Sequence, residues 1–212
     1  MAVSSSAPER EPVSAAIFKA IEALAARGPS QPLRLVLGCS GGVDSTVLLH
    51  ALAEARGEFP LELRAVHVHH GLLAQADAWV EAVRSHCAAL GVPLQVAYVR
   101  VQPDGKGLEA AARSARLRAL AAVPGDALVL AQHRDDQAET VLFRLLRGSG
   151  VAGLAAMRQI APAPLAGAAA PWWLRPFLDL PKETLIAWAQ ERGLSWVEDP
   201  SNMSADFTRN WL

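Results

Sequence analysis

Apolar residues fall along the chain in two alternating patterns. In residues 13–27 they recur at helical spacing (Ile17, Ile21, Leu24), and Gly28, Pro29 and Pro32 close the segment. Short unbroken apolar runs follow at 33–37, 61–66, 94–99 and 127–131, with longer amphipathic stretches after each at 45–55, 75–90, 108–122 and 136–146. Strand runs with no polar alternation are buried on both faces, so the pattern predicts an α/β fold. The expected core is a parallel five-stranded sheet with helices on both faces and right-handed crossovers. Open sheets of this kind bind ligands beyond the carboxyl ends of their strands. The turns after Leu37, Val66, Val99 and Ala131 are therefore where chemistry is expected.

Outside that alternation, residues 1–12 are polar and Pro-containing and are expected to be a mobile tail. Residues 13–160 read as the main domain. Residues 161–171, rich in Ala, Pro and Gly, read as a linker or loop. Residues 172–212 then form its C-terminal part, with one more helix at 181–192 as a small helical extension. Pro181 lies in that helix's first turn and Gly193 is its stop. Aromatic and charged residues still arrive at Leu212, so the chain is expected to be a domain cut from a longer protein.

Composition narrows the class. With 51% apolar and 19% charged residues the chain is too apolar to be disordered. No run approaches the ~18 apolar residues of a spanning helix, and the N-terminus carries no secretory signal. A cytoplasmic location with no membrane association is expected. Cys39 and Cys87 are the two cysteines, without a CxxC. The net charge of -1 exerts no global pull on nucleic acid, and with 3 Lys against 17 Arg any phosphate contact is local and mostly through arginine.

The turn after the first strand reads Gly38-Cys39-Ser40-Gly41-Gly42-Val43-Asp44-Ser45. Small residues let successive N–H groups turn inward as an anion nest. The helix that follows adds its free amides and positive dipole end, and Ser40 and Ser45 add hydroxyls. It is neither GxxxxGK[ST] nor GxGxxG. A plain Gly-rich turn capped by Asp44 or Ser45 is the alternative. Ser40 to Ser45 resembles the SGGxDS loop of the PP-loop ATP pyrophosphatases, whose members split ATP between the α and β phosphates and adenylate a substrate oxygen. That resemblance implies a Rossmann-like fold of the adenine nucleotide α hydrolase type.

Further segments resemble one branch of that family, the tRNA lysidine synthetases. His70-Gly71-Leu72 is similar to an HGL turn lining the adenosine pocket, while His67 and His69 read as a polar strand end. Glu109 to Arg116 is similar to EAxARxAR, with Leu117 in place of the usual tyrosine. From spacing alone Arg113 and Arg116 also fit a solvated helix face. Gln132 to Thr140 resembles HHxDDQxET, with Gln132 replacing the first histidine and His133, Asp135, Asp136, Glu139 and Thr140 matching. Acids at a helix start beside a histidine suit Mg²⁺ held against phosphate oxygens, and Asp136-x-x-Glu139 also fits an acidic capping box. Arg147-Gly148-Ser149-Gly150, with Gly153, Leu154 and Met157, is similar to RGSGxxGLxxM. Arg175-Pro176-Phe177-Leu178 is similar to RPLL, and Glu198 to Asn202 with Arg209-Asn210 to EDPSN and RN. The resemblance runs from 34 to 212.

It implies ATP-dependent ligation of L-lysine to carbon 2 of the wobble cytidine of tRNA(Ile) with a CAU anticodon, through an adenylated cytidine, with AMP and pyrophosphate released. The cofactors implied are ATP and Mg²⁺. Asp44, Arg113, His133, Asp135 and Asp136 are then the catalytic candidates, with Asp44, Asp135 and Asp136 toward Mg²⁺. Ser40, Gly41, Gly42, Val43, Asp44, Ser45, His70 and Gly71 fall to the nucleotide, and Arg116, Glu139, Arg147 and Arg175 to the other substrates. Trp172, Trp173 and Trp211 fit either core packing or contact with a base. Two other readings stay open: another PP-loop enzyme such as a tRNA thiolase, for which Cys39 would matter, and a non-catalytic nucleotide-binding domain.

Overall fold

The computed structural model describes residues 10–28, 31–71, 75–101, 108–146, 148 and 156–198. Its elements run α1 (Pro12–Ala25), β1 (Leu33–Gly38), α2 (Val43–Ala55), β2 (Leu61–His69), α3 (Ala76–Ala89), β3 (Leu94–Tyr98) and α4 (Leu108–Ala121). They continue with β4 (Ala127–Val129), α5 (Arg134–Leu146), β5 (Ile160–Pro162), β6 (Trp172–Leu174) and α6 (Lys182–Glu191). Four strands and all six helices stand where the apolar patterning puts them.

The sheet has six strands in the order β3-β2-β1-β4-β6-β5. Five are parallel, and β5 runs antiparallel to β6 at the edge. The expected count was five. The difference lies in β5 and β6, each three residues long, which is too short to display a period. Pro162, unable to donate, sits on the edge strand where that costs no ladder bond. Residues 161–171, read as a linker or loop, connect the two strands of this hairpin, and the Ala163 N–H donates to the Pro171 carbonyl at 2.9 Å. The proposed boundaries at 160 and 172 therefore pass through a single sheet.

Alternation along β1 sends Leu33, Leu35 and Leu37 to one face and Val36 to the other. The first face is covered by α1, α2, α3 and α6. Ile17, Ile21, Leu48, Leu49, Leu52 and Leu185 are all fully buried there. The C-terminal helix is thus built into the main core. On the second face, Leu120 and Val123 pack with Val66, Leu128 and Trp173. α5 differs from the other helices in contributing no fully buried residue, and Leu142, Leu145 and Leu146 are exposed on it. Among the described residues no helix is long and apolar enough to cross a membrane.

The chain leaves β1 toward β2 and β3, then returns past β1 to β4. The strand order reverses at the carboxyl end of β1, which is where a doubly wound sheet opens its crevice. That places the 38–45 turn between the turns that follow β2 and β4.

Just before β4, Gly125 packs so closely that a Cβ would lie 2.8 Å from Val36 Cγ2 and 3.0 Å from the Arg34 carbonyl oxygen. Gly125→Ala is expected to lower stability by about 1–3 kcal/mol, since β1 and β4 must part to admit the methyl. Urea unfolding of the two chains measures this.

Candidate active site

The turn between β1 and α2 is shaped by two constraints. Gly41 has φ +93°, and a Cβ there would meet Val83 Cγ2 at 3.2 Å, so both backbone and space call for glycine. Ser45 braces the turn from inside. Its Oγ accepts from the N–H groups of Ser40 (3.2 Å) and Gly41 (3.1 Å) and donates to the Gly42 carbonyl (3.0 Å). This differs from the expected nest: those two amides and the Ser45 hydroxyl are engaged within the turn. What faces outward is the start of α2. Its N-cap is Gly42, with no side-chain cap, so neither Asp44 nor Ser45 serves as the cap. The first amides of α2 have no intrahelical acceptor, and with the helix dipole they favour an anion. Ser40 is exposed at the mouth of the turn.

Neighbouring segments hold this turn in place. The buried His67 donates through Nδ1 to the Cys39 carbonyl at 2.9 Å, and burial, the main influence on the ring, pushes its pKa down, so it stays neutral. His67 is therefore a strut beneath the turn, more than the polar strand end its sequence suggested. The Val197 N–H donates to the Gly41 carbonyl at 2.9 Å. His69 stands 3.2 Å from Asp77 without hydrogen-bond alignment. His70 is half-buried, Gly71 is exposed at φ +65°, and Leu72 lies outside the described residues.

After β4 the chain brings four chemistry-bearing groups together. The His133 ring is almost fully buried. Its Nε2 lies 3.5 Å from Asp136 Oδ2 and 3.7 Å from Asp44 Oδ2, and its Nδ1 lies 4.0 Å from Asp135 Oδ2. Asp136 also accepts the His133 backbone N–H at 2.9 Å, so the capping box runs from His133 to Asp136 and not, as the sequence suggests, from Asp136 to Glu139, because α5 already begins at Arg134. The Asp135 N–H approaches His133 Nδ1 at 3.3 Å, which assigns the proton of the neutral ring to Nε2, facing Asp44 and Asp136. Burial opposes charge on this ring, but Asp44, Asp136 and Asp135 outweigh it and hold the pKa above the usual histidine value.

Three carboxylates around one imidazole leave negative charge unbalanced, and Asp44 Oδ1 is buried with no hydrogen-bond partner. Hard oxygen donors beside an anion-binding helix start fit Mg²⁺ arriving with phosphates. Among the described residues no group of three or more His, Cys, Asp or Glu side chains is arranged to hold a metal ion by itself.

The remaining candidates lie around this centre. Arg113 and Arg116 are exposed on α4, and Glu139 is exposed on α5. Arg175 is buried beyond β6, where its Nε donates to Gln132 Oε1. Arg147 lies outside the described residues, as do Ser201, Asn202, Arg209, Asn210 and Trp211. Trp172 and Trp173 pack in the core on opposite faces of the sheet. Sequence reasoning missed the Gln132–Arg175 contact; its one signal was the departure of Gln132 from the motif's histidine.

A PP-loop domain model matches residues 14–212. The chain is 55% identical over 176 residues to the tRNA(Ile)-lysidine synthase of Alkalilimnicola ehrlichii, covering 82% of this chain and 38% of that protein. It is 48% identical to that of an Azoarcus species, covering 92% of this chain and 43% of that protein. Among solved structures, the U34-tRNA thiolase NcsA of Methanococcus maripaludis, solved with its iron–sulfur cluster, superposes with a TM-score of 0.71 at 17% identity over 94% of this chain and 70% of its own. The NH3-dependent NAD synthetase of Campylobacter jejuni gives 0.54 at 18% identity over 86% and 72%. At those identities the two structures share the fold alone. The chain belongs to the PP-loop family. Within the family its curated matches include tRNA(Ile)-lysidine synthases, of whose length it spans about two-fifths.

Burial is the main reason the Cys39 thiol is pushed up to about 11 and the Cys87 thiol to about 12. At pH 8 the thiolate fraction of Cys39 is on the order of a thousandth. Iodoacetamide at pH 8 should leave the native chain unmodified and add two groups after denaturation, read by intact mass. Rapid native labelling of Cys39 would show that the thiol is not held in this environment.

Proposed function

We propose that this chain is the catalytic domain of an enzyme that forms lysidine, joining L-lysine to carbon 2 of the wobble cytidine of tRNA(Ile) with a CAU anticodon at the cost of ATP. What carries the reading is the meeting of Asp44, at the start of α2, and Asp136, at the start of α5, around His133 Nε2, at 3.7 and 3.5 Å from it, in a chain about half identical to tRNA(Ile)-lysidine synthases.

The carbonyl oxygen at carbon 2 of cytosine is a poor leaving group, and adenylation makes it a good one. In the first step that oxygen attacks the α phosphate and pyrophosphate departs. The amides at the start of α2, with the Ser40 hydroxyl, receive the negative charge that develops, in an orientation fixed beforehand by Ser45, His67 and Val197. Mg²⁺, when bound, would be held by Asp44, Asp135 and Asp136 and would neutralise phosphate charge. His133 keeps its Nε2 proton between Asp44 and Asp136 and so holds two acids at fixed positions. In the second step the neutral ε-amine of lysine attacks carbon 2 and AMP leaves. Arg113, Arg116, Arg147, Arg175 and Glu139 are the groups assigned to phosphate, lysine and nucleoside contacts, with His70 and Gly71 toward the adenosine. Among the alternatives, the thiolase reading is weakened by the burial of both cysteines.

The test supplies ATP, Mg²⁺, L-lysine and an unmodified tRNA(Ile) transcript to the full-length protein. Lysine incorporation with release of AMP is expected, and Asp44→Asn should slow it by about 10²–10³-fold. Pyrophosphate release without lysine incorporation would favour another PP-loop enzyme, and no release would favour a nucleotide-binding regulator.

A near-neutral chain neutralises few phosphates, and phosphate contact dominates affinity for tRNA. The 212-residue chain should accordingly bind ATP yet hold tRNA weakly. Tight, salt-sensitive tRNA binding in a filter assay would contradict this.

A further inference from the structure

On the β6 side of the acidic cluster a guanidinium is buried with no counter-charge among the described residues. Arg175 keeps only 7% of its surface exposed. Its Nε donates to Gln132 Oε1, its Nη1 donates to the Arg158 carbonyl at 3.1 Å, and its plane stands 5.3 Å from the centre of the Trp173 ring. Both acceptors are neutral. Among the described residues no carboxylate lies within ion-pair distance of it. The charge that does act on it is Arg113, of the same sign, from α4, and burial and that neighbour together disfavour its charged form. The indole Nε1 of Trp173 is likewise buried without an acceptor. Buried charges are ordinarily paired, because an uncompensated one keeps most of its desolvation penalty. A structural brace between β4, β6 and the 158–159 segment would need only the hydrogen bonds and would be more stable with an acid at 132.

The location adds to this. β6 pairs with β4 through Val129 and Leu174, and the Arg175 side chain reaches Gln132, the chain neighbour of His133. Positive and negative poles stand side by side at the carboxyl edge of the sheet. Gln132 anchors the guanidinium through an uncharged oxygen and so leaves its charge uncancelled.

We propose that Arg175, anchored by Gln132 and backed by Arg113, is the receptor for a substrate oxyanion, taking paired oxygens on its planar fork. On the lysidine reading, from which its candidate substrates come, that oxyanion has two sources: the carboxylate of the free amino acid and a phosphate of the nucleotide.

The decisive variant is Gln132→Glu, which preserves size and the bond to Arg175 while supplying an internal carboxylate. Calorimetry on the 212-residue chain compares L-lysine, 1,5-diaminopentane (the same amine without the carboxylate) and ATP with Mg²⁺. A tenfold or greater loss of L-lysine affinity, with diaminopentane unchanged, assigns the carboxylate. A comparable loss of ATP affinity assigns the phosphate. Either supports the receptor, provided the melting temperature is unchanged or raised. Unchanged affinity for both overturns it, as does a parent chain that binds neither. If Gln132→Glu lowers the melting temperature, Arg175→Lys, which keeps the charge and removes the planar fork, decides on the same readouts: a threefold or greater loss for either anion supports the receptor and none overturns it. A parent chain with anion binding sensitive to these changes, in a full-length protein that makes no lysidine, would remove the functional reading and leave the receptor standing.

Discussion

The approach of Asp44 to His133 is the contact on which the rest of the site depends. It joins the start of α2 to the start of α5 across 89 residues of chain, and exists because the chain returns past β1 to lay β4 beside it. One element brings an anion-binding helix end and the other brings acids. Neither is specific alone: a helix start attracts any anion, and acids at a helix start are ordinary caps. Together they make a place where a phosphate and its cation can be held at once. The buried imidazole lies between them, its Nε2 3.7 Å from Asp44 and 3.5 Å from Asp136.

Charge is distributed to match. The chain is close to neutral overall, yet the carboxyl edge of the sheet is polarised. Asp44, Asp135 and Asp136 surround His133, while Arg175 and the exposed Arg113 stand toward β6. Net charge conceals this arrangement because it averages the molecule. The supports under the 38–45 turn are, by contrast, uncharged. Ser45, the neutral His67 and the backbone of Val197 fix its shape without competing for the anion.

Much of the architecture was legible from residue pattern alone, because strands buried on both faces leave unbroken apolar runs and their crossover helices leave a 3.6-residue period. The signal failed where elements were short. Trp172–Leu174 is a strand because β4 offers it an edge, and Ile160–Pro162 because Trp172–Leu174 then offers the next one; no three-residue run carries that information. In the site, the types of the key residues were readable: small residues with an acid before a helix, and paired acids after a strand. Their internal economy was not. That Ser45 turns its hydroxyl inward, that His67 reaches back 28 residues to Cys39, and that Gln132 meets Arg175 across 43 residues are tertiary facts without local signature.

The most direct test of this account is a crystal of the chain soaked with ATP and Mn²⁺, with the cation located by its anomalous signal. The account predicts phosphate density against the amides of Val43, Asp44 and Ser45, with the anomalous peak beside Asp44 on the His133 side. A nucleotide seated elsewhere, or a peak away from Asp44, would contradict it.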